Sequence, residues 1–242
     1  FPEAMQTYLP YLATLAVVGI IYGSLVAMMQ DDVKKLVAYS SVAHLGFVML
    51  GVFALNLQGM AGGLIQMVNH GISTGALFLI VGFIYERRHT RQISEFGGLA
   101  HKMPILATIF LIITFSSIGL PGTNGFVGEF LALVGAFESG LRWYAVVATT
   151  GVILAAVYML WVFQRVMFGK ITNPENEKLK DLSVREIVLM IPLVVFVFWI
   201  GIAPNTFLSK MNPAIEQLLI QVKSKQVAVV EPVQPVIAQN LE

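Results

Sequence analysis

The sequence predicts an all-α integral membrane protein with six transmembrane helices. Of its 242 residues, 57% are hydrophobic and only 12% are charged, whereas charged residues make up about 25% of ordinary soluble domains. Apolar stretches of about 20 residues recur along the chain, and this is the length that a helix needs to cross the roughly 30 Å hydrocarbon core of a bilayer. The expected solvent of most of the chain is therefore lipid.

The predicted crossings follow one another with mostly short connections. They are residues 8–29, 36–55, 60–85, 104–137, 143–168 and 187–208. Residues 1–208 are thus predicted to form a transmembrane domain, and residues 209–242 a C-terminal tail outside the membrane. The tail mixes lysines and prolines with scattered apolar residues, which fits a surface helix followed by irregular chain.

The basic residues support the number of crossings, because an alternating path puts most of them on one side. Eleven of the 15 lysines and arginines fall in this set: Lys34, Lys35, Arg87, Arg88, Arg91, Lys102, Arg165, Lys170, Lys178, Lys180 and Arg185. Only Arg142, Lys210, Lys223 and Lys225 fall on the other side. By the positive-inside rule the larger set faces the cytoplasm, so both ends of the chain are predicted on the outer face.

The fourth predicted crossing is too long to be one straight helix. Residues 104–137 would span about 51 Å at 1.5 Å per residue. In its middle, Pro121 lacks an amide hydrogen, and Gly122 and Gly125 tolerate non-helical backbone angles. We therefore expect an interruption near residues 120–125. Backbone groups freed inside a membrane need protein or water partners, and interrupted helices commonly mark transport sites.

Glu129 is the residue that points most directly to function. Of the fourteen acidic residues, it alone lies well inside a predicted crossing. A charge at the bilayer centre costs about 2.5 to 3.5 kcal/mol on the most lenient scale, so a carboxylate kept there indicates a functional site. We expect Glu129 to take up and release protons. The alternative is a neutral carboxyl group that only closes a contact between helices.

Two histidines at membrane depth, His44 and His70, are further candidates for proton transfer. Histidine changes charge near neutral pH, although either ring could simply donate to a backbone carbonyl and pack. Polar neighbours one helical turn away are auxiliary candidates: Gln66, Ser73 and Thr74 beside His70, and Ser40 and Ser41 beside His44. Lys34 and Lys35, at a helix junction, either mark a charged boundary that reaches water or load protons from the cytoplasm.

Several function classes are disfavoured by composition. The chain has no cysteine, which excludes disulfides, cysteine-ligated zinc and cysteine-ligated iron–sulfur clusters within it. A net charge of +1 without a run of basic residues gives no reason to expect nucleic acid. No glycine-rich nucleotide-binding motif is present, and no metal-binding or cofactor-binding residues are predicted. The first residues contain neither an initiator methionine nor a signal peptide, so we expect the later part of a longer protein.

Four motifs, at residues 32–47, 70–71, 85–91 and 120–130, resemble the antiporter-like subunits of proton-pumping NADH:quinone oxidoreductase, respiratory complex I. The similarity is to the chain M or subunit 4 type. It implies a fourteen-helix fold of which this chain is the C-terminal part, with the last six helices. It also implies that Glu129 terminates a buried proton pathway and that His44 and His70 are the family's two membrane histidines. Sister subunits of the family have lysine at the position of Glu129.

The resemblance also implies partners and a location. NADH, flavin, iron–sulfur clusters and quinone are expected in partner subunits, and this chain is expected to contact lipid, protons and other membrane subunits, including sister antiporter-like subunits. The implied location is the bacterial cytoplasmic membrane, with both ends of the chain periplasmic. The family's earlier glutamate and its central lysines precede the first residue of this chain.

The sequence also fits two other functions. An Mrp-type cation/proton antiporter or a membrane-bound hydrogenase would share the implied fold. Alternatively, the chain could serve only to anchor neighbouring subunits, without carrying protons.

Overall fold

The chain folds into a bundle of α-helices. The structure, a computed structural model, describes residues 2–230, so residues 231–242 of the predicted tail lie outside the described residues. Within the described part there are eight α-helices: α1 (Pro2–Met28), α2 (Val33–Phe53), α3 (Leu57–Arg88), α4 (Pro104–Ser117), α5 (Asn124–Glu138), α6 (Arg142–Met167), α7 (Val184–Ile202) and α8 (Asn205–Val230). Three short 3₁₀ helices occupy Ile93–Glu95, Leu99–His101 and Pro174–Lys178. The predicted all-α class is confirmed, since residues 2–230 contain no β-strand.

Among residues 2–230, five helices are long and apolar enough to cross a membrane. They are Thr7–Met28, Val33–Phe53, Leu57–Arg88, Arg142–Met167 and Val184–Ile202. The remaining predicted crossing, residues 104–137, is divided between α4 and α5, and neither is long enough alone to span a bilayer. The long fourth segment is therefore interrupted, as its length and composition predicted.

The last predicted crossing ends earlier than expected. We predicted residues 187–208, but α7 ends at Ile202 and a separate helix, α8, begins at Asn205. Pro204 explains the difference, because a proline disfavours helical angles in the residue before it, and Ala203 indeed has φ −125° and ψ 58°. Hydropathy alone did not show this boundary, because Phe207 and Leu208 extend the apolar character of the segment past Pro204.

The predicted tail begins as a helix that packs on the bundle. In α8, Ile215 is only 2% exposed and lies in an apolar cluster with Met60 and Ala61 of α3. Most other α8 residues up to Ser224 are exposed or half-buried. Helix α8 therefore covers the N-terminal part of α3 with one apolar stripe.

Small residues allow the first helices to approach closely. A Cβ atom on Gly46 of α2 would lie 2.5 Å from the Ile20 side chain of α1, and one on Gly23 of α1 would lie 2.9 Å from the Ala43 amide nitrogen. Gly19 and Gly23 of α1 thus face α2. This contact sets the position of α2, which carries His44.

The loops that carry most of the basic residues meet at one end of the bundle. The Val33 amide donates to the Arg91 carbonyl (3.0 Å), and the Gly98 amide donates to the Phe168 carbonyl (2.9 Å). Asp181 accepts from the Ile105 amide at the start of α4 (2.8 Å). We call this the basic end. The loops predicted on one side of a membrane therefore lie together, while the side that this end faces stays a prediction.

Candidate functional site

The interruption between α4 and α5 is built from two standard turns. After α4 ends at Ser117, Gly119 adopts φ 72°, and the Leu120 amide reaches back to the Phe115 carbonyl (3.0 Å), as in a Schellman helix end. Next, Pro121 and Gly122 (φ 92°) form a turn that is closed by the Thr123 amide donating to Leu120 (3.0 Å). Proline followed by a positive-φ glycine is the type II turn pattern.

The break covers residues 118–123, two residues earlier than predicted. Pro121 and Gly122 lie in it as expected, but the assignment of Gly125 to the break was wrong. Gly125 is helical within α5, and a Cβ there would collide with the Ser116 carbonyl group. Its role is to let the first turn of α5 pack on the last turn of α4. Sequence shows that glycine permits irregular backbone, but not whether a close neighbour requires it.

Buried amide and hydroxyl groups hold the break against α3. The Asn69 side chain donates to the Asn124 backbone carbonyl (2.6 Å). The Asn124 side-chain amide in turn donates to the Asn69 backbone carbonyl (3.4 Å) and to the Ser73 hydroxyl (3.3 Å). The Ser116 hydroxyl is 2.6 Å from that of Ser73 and donates to the Asn124 side-chain oxygen (2.5 Å). All four residues are buried, so polar groups at the break find protein partners.

Glu129 lies one and a half turns into α5 and is only 3% exposed. Its Oε1 atom is 2.8 Å from Nδ1 of His44 on α2 and accepts a hydrogen bond from the Gln66 side-chain amide on α3 (3.0 Å). Gly128 makes this possible, because a Cβ there would occupy the space of the Gln66 side chain. Three helices thus converge on a single carboxylate oxygen.

The second carboxylate oxygen of Glu129 is placed differently. Oε2 is buried without a hydrogen-bond partner among the described residues, and a Cβ on Gly119 would lie 3.3 Å from it. On this side Glu129 borders a groove of about 250 Å³ between α5 and α6, lined by apolar side chains such as Phe126 and Phe130. The carboxyl group therefore separates a polar cluster from an apolar groove.

His70 extends the polar cluster along α3. Its ring centroid lies 5.9 Å from that of His44, and its Nε2 atom is buried without a partner among residues 2–230. Both rings line a cavity of about 10 Å³, together with Gln66, Asn69, Ser73, Thr74, Ser116, Ser117 and Gly125. This volume is close to the minimum that holds one water molecule, and the lining offers several polar partners. The structure thus brings Glu129, His44 and His70 together.

The auxiliary candidates separate into two groups. Gln66, Ser73 and Thr74 line the cavity beside the histidines. The Ser40 and Ser41 hydroxyls instead donate to the Val37 carbonyl of their own helix (2.8 and 3.3 Å). Lys34 and Lys35 are exposed in the first turn of α2, about 15 Å along that helix from His44 at 1.5 Å per residue.

Asn69, Ser116 and Asn124 belong to the cluster but were not predicted from the sequence. Asn69 follows Gln66 by three residues, a spacing that places both on one helix face. Asn124 immediately follows the Pro-Gly turn. Both signals were present, but only the packing of α3 on the break shows that these groups meet.

Comparisons with known proteins assign the family. The model of a family described as "NADH:quinone oxidoreductase/Mrp antiporter, TM" matches residues 1–155. A protein named NADH-quinone oxidoreductase subunit M from Rickettsia prowazekii is 47% identical over 221 residues, which cover 91% of this chain and 45% of the relative. The chain thus spans about half the length of the relatives it matches.

Solved structures agree with this assignment. A chain of respiratory complex I from Thermus thermophilus superposes with a TM-score of 0.85 at 35% identity, covering 91% of this chain and 46% of that one. A chain of the Mrp complex from Dietzia superposes with a TM-score of 0.80 at 21% identity, covering 88% and 47%, and this second match shows a common fold. The chain belongs to the transmembrane family shared by NADH:quinone oxidoreductases and Mrp antiporters.

Proposed function

We propose that this chain is part of a proton-translocating membrane subunit of an NADH:quinone oxidoreductase. Family membership and the similarity to subunit M support this function. The observation that carries it is the 2.8 Å contact between His44 and Glu129, buried beside an interrupted helix. In this role the chain is a subunit of a translocase, while the redox chemistry takes place elsewhere.

The chemistry of the pair follows from its surroundings. One proton shared between His44 and Glu129 gives either a neutral pair or an ion pair without net charge, so the low-dielectric interior tolerates both forms. The proton moves between Nδ1 of His44 and Oε1 of Glu129, which already lie at hydrogen-bond distance. A second proton leaves the pair with a net charge of +1, and loss of the first leaves −1. A neighbouring group must then take up the extra proton or supply the missing one.

His70 provides that neighbour. The two rings are not hydrogen-bonded to each other, but a water molecule in the cavity between them would link the groups that line it. Protons then step among Glu129, His44 and His70, with Gln66, Ser73 and Thr74 orienting the water. Through the broken helix, Glu129 exchanges protons with water on one face of the membrane.

The proposed architecture has six crossings, in which α4 and α5 together make the fourth. The transmembrane part of this chain ends with α7 at Ile202 instead of at residue 208, and α8 (Asn205–Val230) lies outside the membrane. The exposed side chains of α8, including Lys210, support a position at the surface. The whole protein would have fourteen helices, with both ends of this chain on the periplasmic side of a bacterial cytoplasmic membrane.

Other components follow from this role. NADH, flavin, iron–sulfur clusters and quinone belong to partner subunits, and this chain contacts sister antiporter-like subunits and lipid. Lys34 and Lys35 remain candidates for loading protons, although their exposure also fits a charged boundary.

The test is Glu129→Gln in the full-length protein within its assembled complex. Glutamine keeps the shape and the contact with Gln66 but cannot release a proton. We expect proton pumping per NADH oxidised to fall, and the rate of proton transfer through this subunit to drop on the order of tenfold or more. Glu138→Gln is the matched control, since this exposed acid at the end of α5 lies outside the cluster. Undiminished pumping with Glu129→Gln would refute the assigned role.

A second candidate is a subunit of an Mrp-type cation/proton antiporter, favoured by the family description and by the shared fold with the Dietzia complex. A membrane-bound hydrogenase subunit is a variant of this alternative. Sodium-dependent proton transport that needs no NADH oxidation would favour the antiporter. Transport that stops when NADH is withheld would favour the oxidoreductase.

A further inference from the structure

A second feature lies at the basic end, away from the Glu129 cluster. It is a groove of about 450 Å³ beside the last turns of α3 and the start of α2. Its lining residues are Lys34, Phe78, Val81, Gly82, Tyr85 and Arg91. We call it the basic-end groove. It shares no lining residue with the cavity between the histidines.

The outer part of the basic-end groove is cationic. Lys34 is exposed, and no acidic side chain among the described residues lies within ion-pair distance of its amine. The guanidinium group of Arg91 is held 5.6 Å over the Tyr85 ring and 3.3 Å from Asp32, yet its side chain remains 41% exposed. No acidic residue lines the groove.

Asp32 pairs with Arg91 through its Oδ2 atom (3.3 Å), but it forms no ion pair with the Lys34 amine. It is only 6% exposed, and its Oδ1 atom accepts the Lys34 and Lys35 amide hydrogens (2.8 and 3.1 Å). It thus caps α2 and orients Arg91, while the Lys34 amine keeps its charge free for a ligand.

The inner part of the basic-end groove is apolar. Phe78, Gly82 and Tyr85 share one face of α3 because they are four and three residues apart. At 1.5 Å per residue, Phe78 lies about 10 Å further along the helix than Tyr85, away from the basic end. A Cβ on Gly82 would meet no atom within 4 Å, so open space continues along the helix between the two aromatic rings.

We propose that the basic-end groove binds one anionic phospholipid, with its phosphate between Lys34 and Arg91 and an acyl chain along Gly82 and Phe78. Lysine and arginine bind phosphate through charge-assisted hydrogen bonds. Basic pockets between transmembrane helices on the cytoplasmic side suit anionic headgroups, and the basic end is the end predicted to face the cytoplasm. A free phosphate ion would fill the cationic part alone, whereas a phospholipid matches both parts.

The experiment uses the full-length protein in its complex, reconstituted into phosphatidylcholine nanodiscs that contain a small fraction of phosphatidylglycerol with a photoreactive acyl chain. We expect the probe to label the peptide around Phe78 and Gly82. Lys34→Gln should lower this labelling about fivefold, the effect of one basic residue near an anionic surface. Gly82→Leu should also lower it, because the new side chain occupies the acyl position without meeting any described neighbour.

Lys35→Gln is the matched control, since it removes the same charge from the same helical turn but outside the groove. Labelling that falls equally in Lys35→Gln and Lys34→Gln would overturn the proposal, as would equal labelling by a phosphatidylcholine probe. A photoreactive residue at position 78 provides the second measurement. Adducts to lipid support the proposal, and adducts to another protein segment overturn it, because a helix then fills the groove.

Discussion

Among the described residues, a part-buried ion-pair cluster at the basic end and the buried polar cluster at the helix break differ in how completely their atoms are paired. At the basic end, Arg87 on α3 forms a bidentate salt bridge with Glu186 on α7 (2.6 and 2.7 Å). Its Nε atom donates to the Lys180 carbonyl (3.0 Å), and Ser183 donates to Glu186 from both its amide and its hydroxyl (2.6 and 2.8 Å). Each side-chain nitrogen of Arg87 and each carboxylate oxygen of Glu186 therefore has a hydrogen-bond partner.

The cluster at the helix break is paired only in part. Glu129 Oε2, His70 Nε2 and Asn69 Oδ1 are buried without a hydrogen-bond partner among residues 2–230. Such unpaired atoms cost free energy in a folded protein. Two of the three residues, His70 and Asn69, line the cavity with room for one water, while Glu129 borders the apolar groove. A fully paired charge cluster holds helices in place, while a partly paired one can exchange partners and protons. The contrast fits a structural role for Arg87 and Glu186, and it supports the proposal that Glu129 and His44 transfer protons.

The largest expected effect on stability comes from breaking the paired cluster. Arg87→Met should lower the free energy of unfolding by about 2 to 3 kcal/mol, because the carboxylate of Glu186, whose side chain is only 12% exposed, is left without its cation. Thermal unfolding of the purified full-length protein measures this change. Arg185→Met is the control, since Arg185 is exposed next to Glu186. If Arg87→Met left stability intact but stopped proton pumping, the contrast between the two clusters would be lost.

A smaller effect is expected where α5 packs on α4. Gly125→Ala places a methyl group against the Ser116 carbonyl, so the break must shift, at about 2 kcal/mol for an overpacked contact. Because Ser116 and Asn124 move with it, we also expect slower proton transfer. Gly82→Ala is the control, since a Cβ there meets open space. Unchanged pumping and unchanged stability together would show that the junction tolerates movement.

The smallest effect is expected for one hydroxyl in the polar cluster. Ser73→Ala removes the partner of Ser116 and of the Asn124 amide, which should cost about 1 kcal/mol of unfolding free energy. We expect only a minor change in pumping, because water in the cavity can replace a hydroxyl that orients it. Thr108→Ala, an exposed hydroxyl on α4, serves as the comparison. A loss of pumping as large as that of Glu129→Gln would make Ser73 a proton carrier.

The amino-acid sequence by itself determined the membrane-crossing character, the positions of most helices and the existence of the interruption. These features depend on local properties: the length of apolar runs, and the backbone limits of Pro121 and Gly122. Glu129 was identified because it is an acidic residue within an apolar segment, and Gln66 was identified because it lies one helical turn from His70. The end of α7 was misplaced because Phe207 and Leu208 follow shortly after Pro204, so hydropathy alone did not reveal the turn.

The tertiary structure alone decided which of these groups meet. Glu129 and His44 are 85 residues apart in the chain, and their contact depends on how α5 packs against α2 and α3. The partners of the break, Asn69 and Ser116, are ordinary polar residues until packing buries them together, and Gly125 is required only because α4 lies against it. Hydropathy and backbone preference are encoded within each helix, whereas a buried hydrogen bond between helices exists only once packing has excluded water and set both side chains at the right distance.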